Sequence, residues 1–481
     1  MTSNKTLAGS LLLLSLSSPL WAASPFISMQ DRYLNGRIHQ MATVTQMPSL
    51  SKPYNVRQVR AQLPLIEHSH PTLYHELDRL LSPYEQKLAL TYSEVTVAAA
   101  TDPDNGKLLP NARGEQLNSS YRVTAQGQYR PADWLVVNVG GLAYDSQNEV
   151  IPVGSYVAVG NDSIQLDFGY REHWLSPFHE SAMVHSTNAQ PSVSVGLSNP
   201  MPLENWWNLK YDIFFTRLEH MDGVRIDGEW LNVRPGLTGF HMSIEPIAGW
   251  VIGANRTIQF NGGDDGISLK EIWQAFFNPT ADQQGNASDN QIASLTSKMH
   301  FGGPVPFVLY AEYAGEDTVQ LKNTRLGNLA VSAGIHLPFM PQWLLGPDWS
   351  LTYEFTEHAH AWYSHHIFRQ GYSNNGVVMG HWAGNDRCYN SNGGPDSVGS
   401  QIHTARLGYQ RAAGSRYELA YRSVDNRYNG RETPMCDYEV GRDIELSHYG
   451  KLMGHPWGWS LFAGQTVHSD NFARLEISLG W

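Results

Sequence analysis

FARLEISLGW, residues 472–481, alternates without a break. Leu475, Ile477, Leu479 and Trp481 fall on one face, and Arg474, Glu476, Ser478 and Gly480 on the other. Successive side chains of an extended chain point to opposite sides. One face of this segment therefore meets an apolar medium while the other carries charge. A strand of this kind closing on an aromatic residue is expected of a bacterial outer-membrane β-barrel. An exposed edge strand of a soluble protein offers the same pattern, so the other end of the chain matters.

That other end reads as a secretion signal. Lys5 gives a weakly positive start, Leu7 to Leu16 form an apolar run, and Pro19 to Ala23 supply a cleavage region. The run is about half of the ~20 residues that a spanning helix needs, and no later segment replaces it. No Cys stands near the cleavage region, which argues against a lipid anchor. Export without a spanning helix leaves the periplasm, the medium or the outer membrane, and the C-terminal alternation selects the outer membrane.

Composition agrees. The 481 residues are 41% hydrophobic, with 43 Gly, 15 Trp and 23 Tyr, and the mean hydropathy is -0.36. A helical membrane protein would be more apolar, whereas a barrel shows lipid only every second residue. Aromatics at 11% suit girdles at the two membrane interfaces. A formal charge of -12 argues against nucleic acid as a partner, because that calls for a basic face.

Three regions follow. Residues 1–23 are the expected leader. Residues 24–87 have apolar positions at helical spacing: Tyr74, Leu77, Leu80 and Leu81 share one face, with Glu76, Asp78 and Arg79 turned away. Ser82-Pro83 interrupts this pattern, since a residue before proline is pushed out of helical geometry. Two or three short helices are too little to hold a core alone, so the segment is expected under or inside a barrel. Residues 88–481 switch to a period of two. Tyr121, Val123, Ala125 and Tyr129 alternate with Arg122, Thr124, Gln126, Gln128 and Arg130, and Leu351, Tyr353 and Phe355 oppose Thr352, Glu354 and Thr356. Turn clusters such as DPDNGK and YNSNGGPDS divide the runs. At ~10 residues per strand, the length accommodates roughly 16 to 20 strands. Arg122, Arg130, Glu312, Glu354, Arg406, Glu418, Arg422, Arg474 and Glu476 fall on the inward face, a mixed-sign and crowded lining.

Cys388 and Cys436 lie in segments rich in Asn, Asp, Gly and Pro. In an exported protein a disulfide between two loops is expected, two free thiols being the alternative. Neither CxxC nor a His/Cys zinc spacing occurs, and no cofactor is indicated. His358, His360, His365 and His366 cluster, yet a metal needs a third ligand and supporting groups. Asp264-Asp265 read as a solvated turn.

The stretch FGYREHWLSPFHESAMVHSTNAQPSVSVGL, Phe168 to Leu197, resembles the capsule assembly Wzi family of outer-membrane proteins. Its elements are Tyr170, Trp174 and Ser176-Pro177, then Ser186, Asn188, Ala189 and Pro191. Further matches run from Ala254 to Gly266, from Asp289 to Asp317, and through Tyr363, His365, Gly371-Tyr372, Gly376, Gly380, Gly384 and Asp386. The HSTNAQPS segment departs from relatives in lacking a Gly-Pro-Gly. The resemblance implies a closed, antiparallel, monomeric all-β barrel of about eighteen strands, with a small N-terminal helical bundle on the periplasmic side. It also implies a lectin-like role holding capsular polysaccharide or exopolysaccharide at the cell surface, among outer-membrane lipid and lipopolysaccharide.

Sugar recognition uses aromatic faces with planar polar and charged side chains. The candidate contacts are Trp206, Trp207, Trp362, Tyr363, His365, Arg369, Trp382 and Asp386, and interface anchoring is the plain alternative for each Trp. No GxSxG elbow is present, so an enzyme is not expected. An outer-membrane channel for small polar or anionic solutes is the rival reading. The helical segment and the crowded lining argue against an open pore.

Overall fold

Alternation along every strand dictates a sheet that must close, because lipid offers no partner to an open edge. The structure, a computed structural model, describes residues 22–101, 106–145, 149–260, 289–316, 326–412, 414–428 and 434–481. Nearly all of the expected leader, and Asp264-Asp265, lie outside the described residues. Eighteen strands form one antiparallel sheet in which the first, Leu88–Ala100, bonds both to Tyr121–Ala132 and to the last, Asn471–Gly480. Across that closing seam Glu94 faces Gly480 and Ala100 faces Arg474. Leu475, Ile477 and Leu479 point outward at 49%, 53% and 41% exposure, while Arg474 is 1% exposed. Register carries the division around the wall: Ile477 sits beside Val97 and Trp459, and Leu479 beside Val95 and Trp457.

Three strands of the wall reach only half of the expected ten residues. Tyr156–Gly160, Gln165–Gly169 and Ser194–Ser198 have five each. Such strands rise about 16 Å, well short of the ~25 Å apolar band of a bacterial barrel. The chain leaves the wall here because residues 170–193 turn into the lumen.

The two ends of the barrel differ. Short connections such as 133–134, 248–249 and 453–454 lie at one end, and the long ones, 101–120, 170–193 and 359–398, at the other. Helices α1 (Arg32–Val44), α2 (Val56–Gln62) and α3 (Pro71–Leu81) close the short-turn end. Asp31 caps α1 by accepting from Leu34 N–H at 2.8 Å, Asn55 caps α2, and Pro71 opens α3. Leu34, Ile38, Met41, Val59, Leu77 and Leu81 make their shared core. They are fastened to the wall by Phe26 N–H to Tyr156 Oη (2.9 Å), Gln40 Nε2 to Pro338 O (3.1 Å) and Gly414 N–H to Tyr33 Oη (2.9 Å). One reading needs correction: Glu76 is not on a solvent face but 3% exposed, paired with Arg37 at 2.8 Å. A helix seated in a barrel mouth is covered on its polar side too.

The interior is filled with paired charges. Arg474 holds Glu115 at 2.9 Å and Glu476 at 2.7 Å, and Arg122 holds Glu115 at 2.9 Å. Arg406 takes both oxygens of Glu180, at 2.6 and 3.0 Å. Glu115 and Glu180 come from inturned loops, so these pairs tie loop to wall. Arg171 likewise bridges Asp167 (2.8 Å) and Asp212 (2.6 Å). Pairing of this kind removes the cost of an isolated buried charge.

Tyr363 joins the loops to one another. Its ring is 1% exposed. Its hydroxyl donates to Met183 O at 2.7 Å and accepts from His381 N–H at 2.9 Å, while its own N–H donates to Glu316 at 2.8 Å. A Cβ on Gly371 would come within 1.8 Å of the Tyr363 carbonyl, and one on Gly380 within 2.5 Å of its hydroxyl. Those glycines are small because Tyr363 occupies the space. Ser186 Oγ donates to Gly380 O at 2.5 Å and Asn188 Nδ2 to Val378 O at 2.9 Å, clamping residues 170–193 to residues 359–398. His381 accepts from Ala383 N–H at 3.2 Å. Burial, helped by Arg387, pushes its imidazole down to about 3.

Two outcomes follow. Tyr363→Phe leaves two buried backbone groups short of a partner and should cost about 1–3 kcal/mol, read from thermal unfolding in detergent. An unchanged midpoint would show that the hydroxyl bonds do not hold the loops. His381 favours its neutral form when folded, so its contribution is complete above the ordinary imidazole value near 6.5 and is lost as pH falls toward 3. Protease cleavage within 359–398 should therefore rise between pH 7 and pH 4, and the rise should shrink in His381→Gln.

Candidate functional site

The long-loop end carries an open polar cleft of about 420 Å³. Residues 106–119 supply Lys107, Arg113 and Gln116 on one side. Opposite stand Asn375, Asn385 and Asp386, with Tyr389 at the rim, 44% exposed. Asn375-Gly376 is the turn of a two-residue hairpin joining Ser373–Asn374 to Val377–Val378. Its left-handed φ values, 50° and 74°, are those such tight hairpins demand. Asn385 closes the one-turn helix Trp382–Asn385, and its Oδ1 accepts from Val378 N–H at 2.9 Å.

The charges of the cleft are arranged in pairs. Lys107 Nζ meets Asp386 at 3.0 and 3.2 Å, and Arg113 Nε meets Glu172 at 2.7 Å. Tyr144 Oη donates to Arg113 O at 2.9 Å. Neutral amides and hydroxyls therefore face the open space between two ion pairs. This surface can donate and accept at once, and among the described residues no nucleophile–base pair is aimed into it. The disulfide Cys388–Cys436 joins residues 359–398 to residues 434–440. Closing that 48-residue separation constrains the unfolded chain by about 4 kcal/mol in the loop-entropy account. It also fixes the backbone next to Tyr389.

A second exposed group lies on the hairpin Met221–Ile226/Glu229–Val233. Trp230 is 47% exposed, and the Arg369 guanidinium stacks 4.8 Å from its ring. Arg225 N–H to Ile367 O and Arg369 N–H to Gly223 O, both 2.9 Å, fasten this hairpin to residues 367–369. His365 sits beside His366 with ring centres 4.4 Å apart. Burial pushes His365 down to about 3, so it is uncharged near neutral pH and accepts from Ile367 N–H at 3.3 Å.

The sequence candidates separate accordingly. Asp386 lines the cleft, and Arg369 reaches the exposed Trp230. Trp362, Tyr363 and Trp382 are 0%, 1% and 4% exposed and pack within the loops, presenting no ring face to a ligand. Trp206 and Trp207 are exposed, but their connection, 199–209, is at the short-turn end, far from the cleft. Alternation reveals which side of a sheet a residue takes, never which end. Lys107, Gln116, Asn375 and Tyr389 escaped notice because they meet only through loop folding. The Asn375-Gly376 dipeptide was the one local signal available.

Comparison with known proteins fits this architecture. Residues 105–389 match the sequence profile of a family described as "Capsule assembly protein Wzi". Among solved structures, the Escherichia coli protein Wzi, described as an outer-membrane, carbohydrate-binding β-barrel involved in group 1 capsule assembly, superposes with a TM-score of 0.69. It is 17% identical, over 95% of this chain and 99% of that one. Pseudomonas aeruginosa OccK5 and OccK10 align at TM-scores of 0.47 and 0.45, with 6% and 9% identity, covering 82% of this chain and 97% and 99% of theirs. No curated protein matches the sequence. Residues 105–389 contain the inturned loops, the clamp and the cleft, and on that match the chain belongs to the capsule assembly Wzi family and is an outer-membrane barrel.

Proposed function

We propose that this outer-membrane barrel binds capsular polysaccharide or exopolysaccharide through its outer cleft and retains it at the cell surface. The single observation that carries the reading is an open, polar, charge-paired cleft set over a lumen that is filled with loops. Short turns face the periplasm and long loops the exterior in bacterial barrels, which orients the cleft outward and the helical plug of residues 24–87 toward the periplasm. Hydroxyl-rich polymers suit such a surface, because sugar hydroxyls both donate and accept and Tyr389 offers a ring face. Trp230 with Arg369 supplies a second contact on the same rim, and a polymer spanning both gains avidity without tighter single contacts. The E. coli relative, described as carbohydrate-binding, supports the reading. The same proposal takes residues 1–23 as a removed leader, the barrel as a monomer among lipid and lipopolysaccharide, and no reaction as catalysed.

Retention on immobilised polysaccharide from the producing strain tests it. Tyr389→Ala combined with Asp386→Asn should weaken retention at least tenfold, about 1.4 kcal/mol, while Trp206→Ala should not. Deletion of the gene should release polymer into the medium with synthesis intact. Equal retention by all variants, or unchanged surface polymer in the deletion strain, would remove the proposal. Planar bilayers address the channel rival. The full-length protein should be silent, and removing residues 24–87 alone should leave it silent, because residues 106–119 and 170–193 also fill the lumen. Steady ohmic conductance from the full-length protein would favour the channel.

A further inference from the structure

Between α1 and the interlocked loops lies a second cavity of about 230 Å³, within the lumen. That is far above the ~10–15 Å³ a single water needs. The carboxylates around it are already engaged. Glu180 is held by Arg406, Glu418 by Arg416 at 2.7 Å and Arg406 at 3.1 Å, and Glu445 by Arg422 at 2.5 Å and Arg32 at 3.1 Å. Glu354, whose field reaches Lys52, accepts from His179 N–H, Glu180 N–H and Tyr310 Oη at 2.7 to 3.0 Å.

The lining carries more positive than negative charge: six cations, Lys52 and five arginines, against four carboxylates. Lys52 stands 5.0 Å from the Trp174 ring and donates to Phe178 O at 3.0 Å, and it meets no carboxylate among the described residues. An ammonium without a counter-charge, in a lining where cations are in excess, cannot be left dry without a large penalty.

We propose that this cavity is a binding site for a small oxyanion of the phosphate or sulfate class. Guanidinium and ammonium groups clamp tetrahedral oxyanions through short, charge-assisted bonds, and such an ion would balance the cations that the four carboxylates of the lining do not match. Entry is from the short-turn end. A vestibule of about 390 Å³ beside Asp31, Arg32 and Tyr33 shares Arg32, Ser460 and Glu476 with the cavity. The outer route is shut by residues 106–119 and 170–193, so the ligand is a periplasmic ion rather than the surface polymer.

Equilibrium dialysis of full-length protein in detergent against radiolabelled phosphate tests the site. One saturable site per chain is expected, displaced by sulfate and not by chloride at equal ionic strength. Affinity should fall at least tenfold in Lys52→Gln and return in Lys52→Arg. No saturable uptake, or equal uptake by wild type and Lys52→Gln, would show that the cavity holds water only. Circular dichroism and heat-modified gel mobility report whether Lys52→Gln still folds. Should it fail, Arg416→Lys removes one guanidinium from the lining while keeping the charge beside Glu418, and undiminished phosphate uptake by that variant would overturn the proposal. Retention of polysaccharide should be unchanged in Lys52→Gln, which separates this site from the outer cleft.

Discussion

Everything in this molecule depends on the bond row between the first and last strands, Leu88–Ala100 and Asn471–Gly480. A lipid bilayer satisfies no peptide N–H or C=O, and each one left without a partner costs several kcal/mol. An eighteen-stranded sheet is therefore viable in a membrane only when its edges meet. Once they meet, the alternation of each strand puts half the side chains in lipid and half in a confined interior. Gly480 opposite Glu94 and Leu479 opposite Val95 mark that division at the seam.

Closure creates a second problem, which the loops solve. The inward faces carry arginines and glutamates on neighbouring strands, and a lumen of this size would otherwise be a water-filled passage. Here residues 106–119 and 170–193 turn inward and bring Glu115, Glu172 and Glu180 to Arg474, Arg113 and Arg406. Five-residue strands at 156–160, 165–169 and 194–198 leave the wall low where residues 170–193 enter. Tyr363 then locks residues 359–398 onto that insert. Buried pairs of this kind contribute less to stability than to position, since their attraction is offset by desolvation. What they secure is one arrangement of the loops, and that arrangement builds the outer cleft.

The filled lumen also separates two environments. Above the loops, paired charges and neutral amides present a surface suited to hydroxyl-rich polymer. Below them, cations outnumber carboxylates around a cavity that shares lining residues with the vestibule at the opposite end. A single barrel thus holds two chemically distinct spaces, divided by side chains that belong to the loops rather than to the wall.

The sequence by itself determined the barrel. Leu475, Ile477 and Leu479 against Arg474 and Glu476 are legible because a period of two follows from extended backbone geometry and needs no tertiary information. The switch at Leu88 and the helical stretch before it are local for the same reason. Only the tertiary structure decided the site. Trp362 and Trp382 look like platforms until loop packing covers them, and Trp206 and Trp207 are exposed at the wrong end. Glu76 reads as a surface residue until the barrel mouth surrounds it. Lys107 meets Asp386, and Arg406 meets Glu180, across separations of hundreds of residues. Such contacts are set by where folded loops come to rest, which no spacing within a strand can encode.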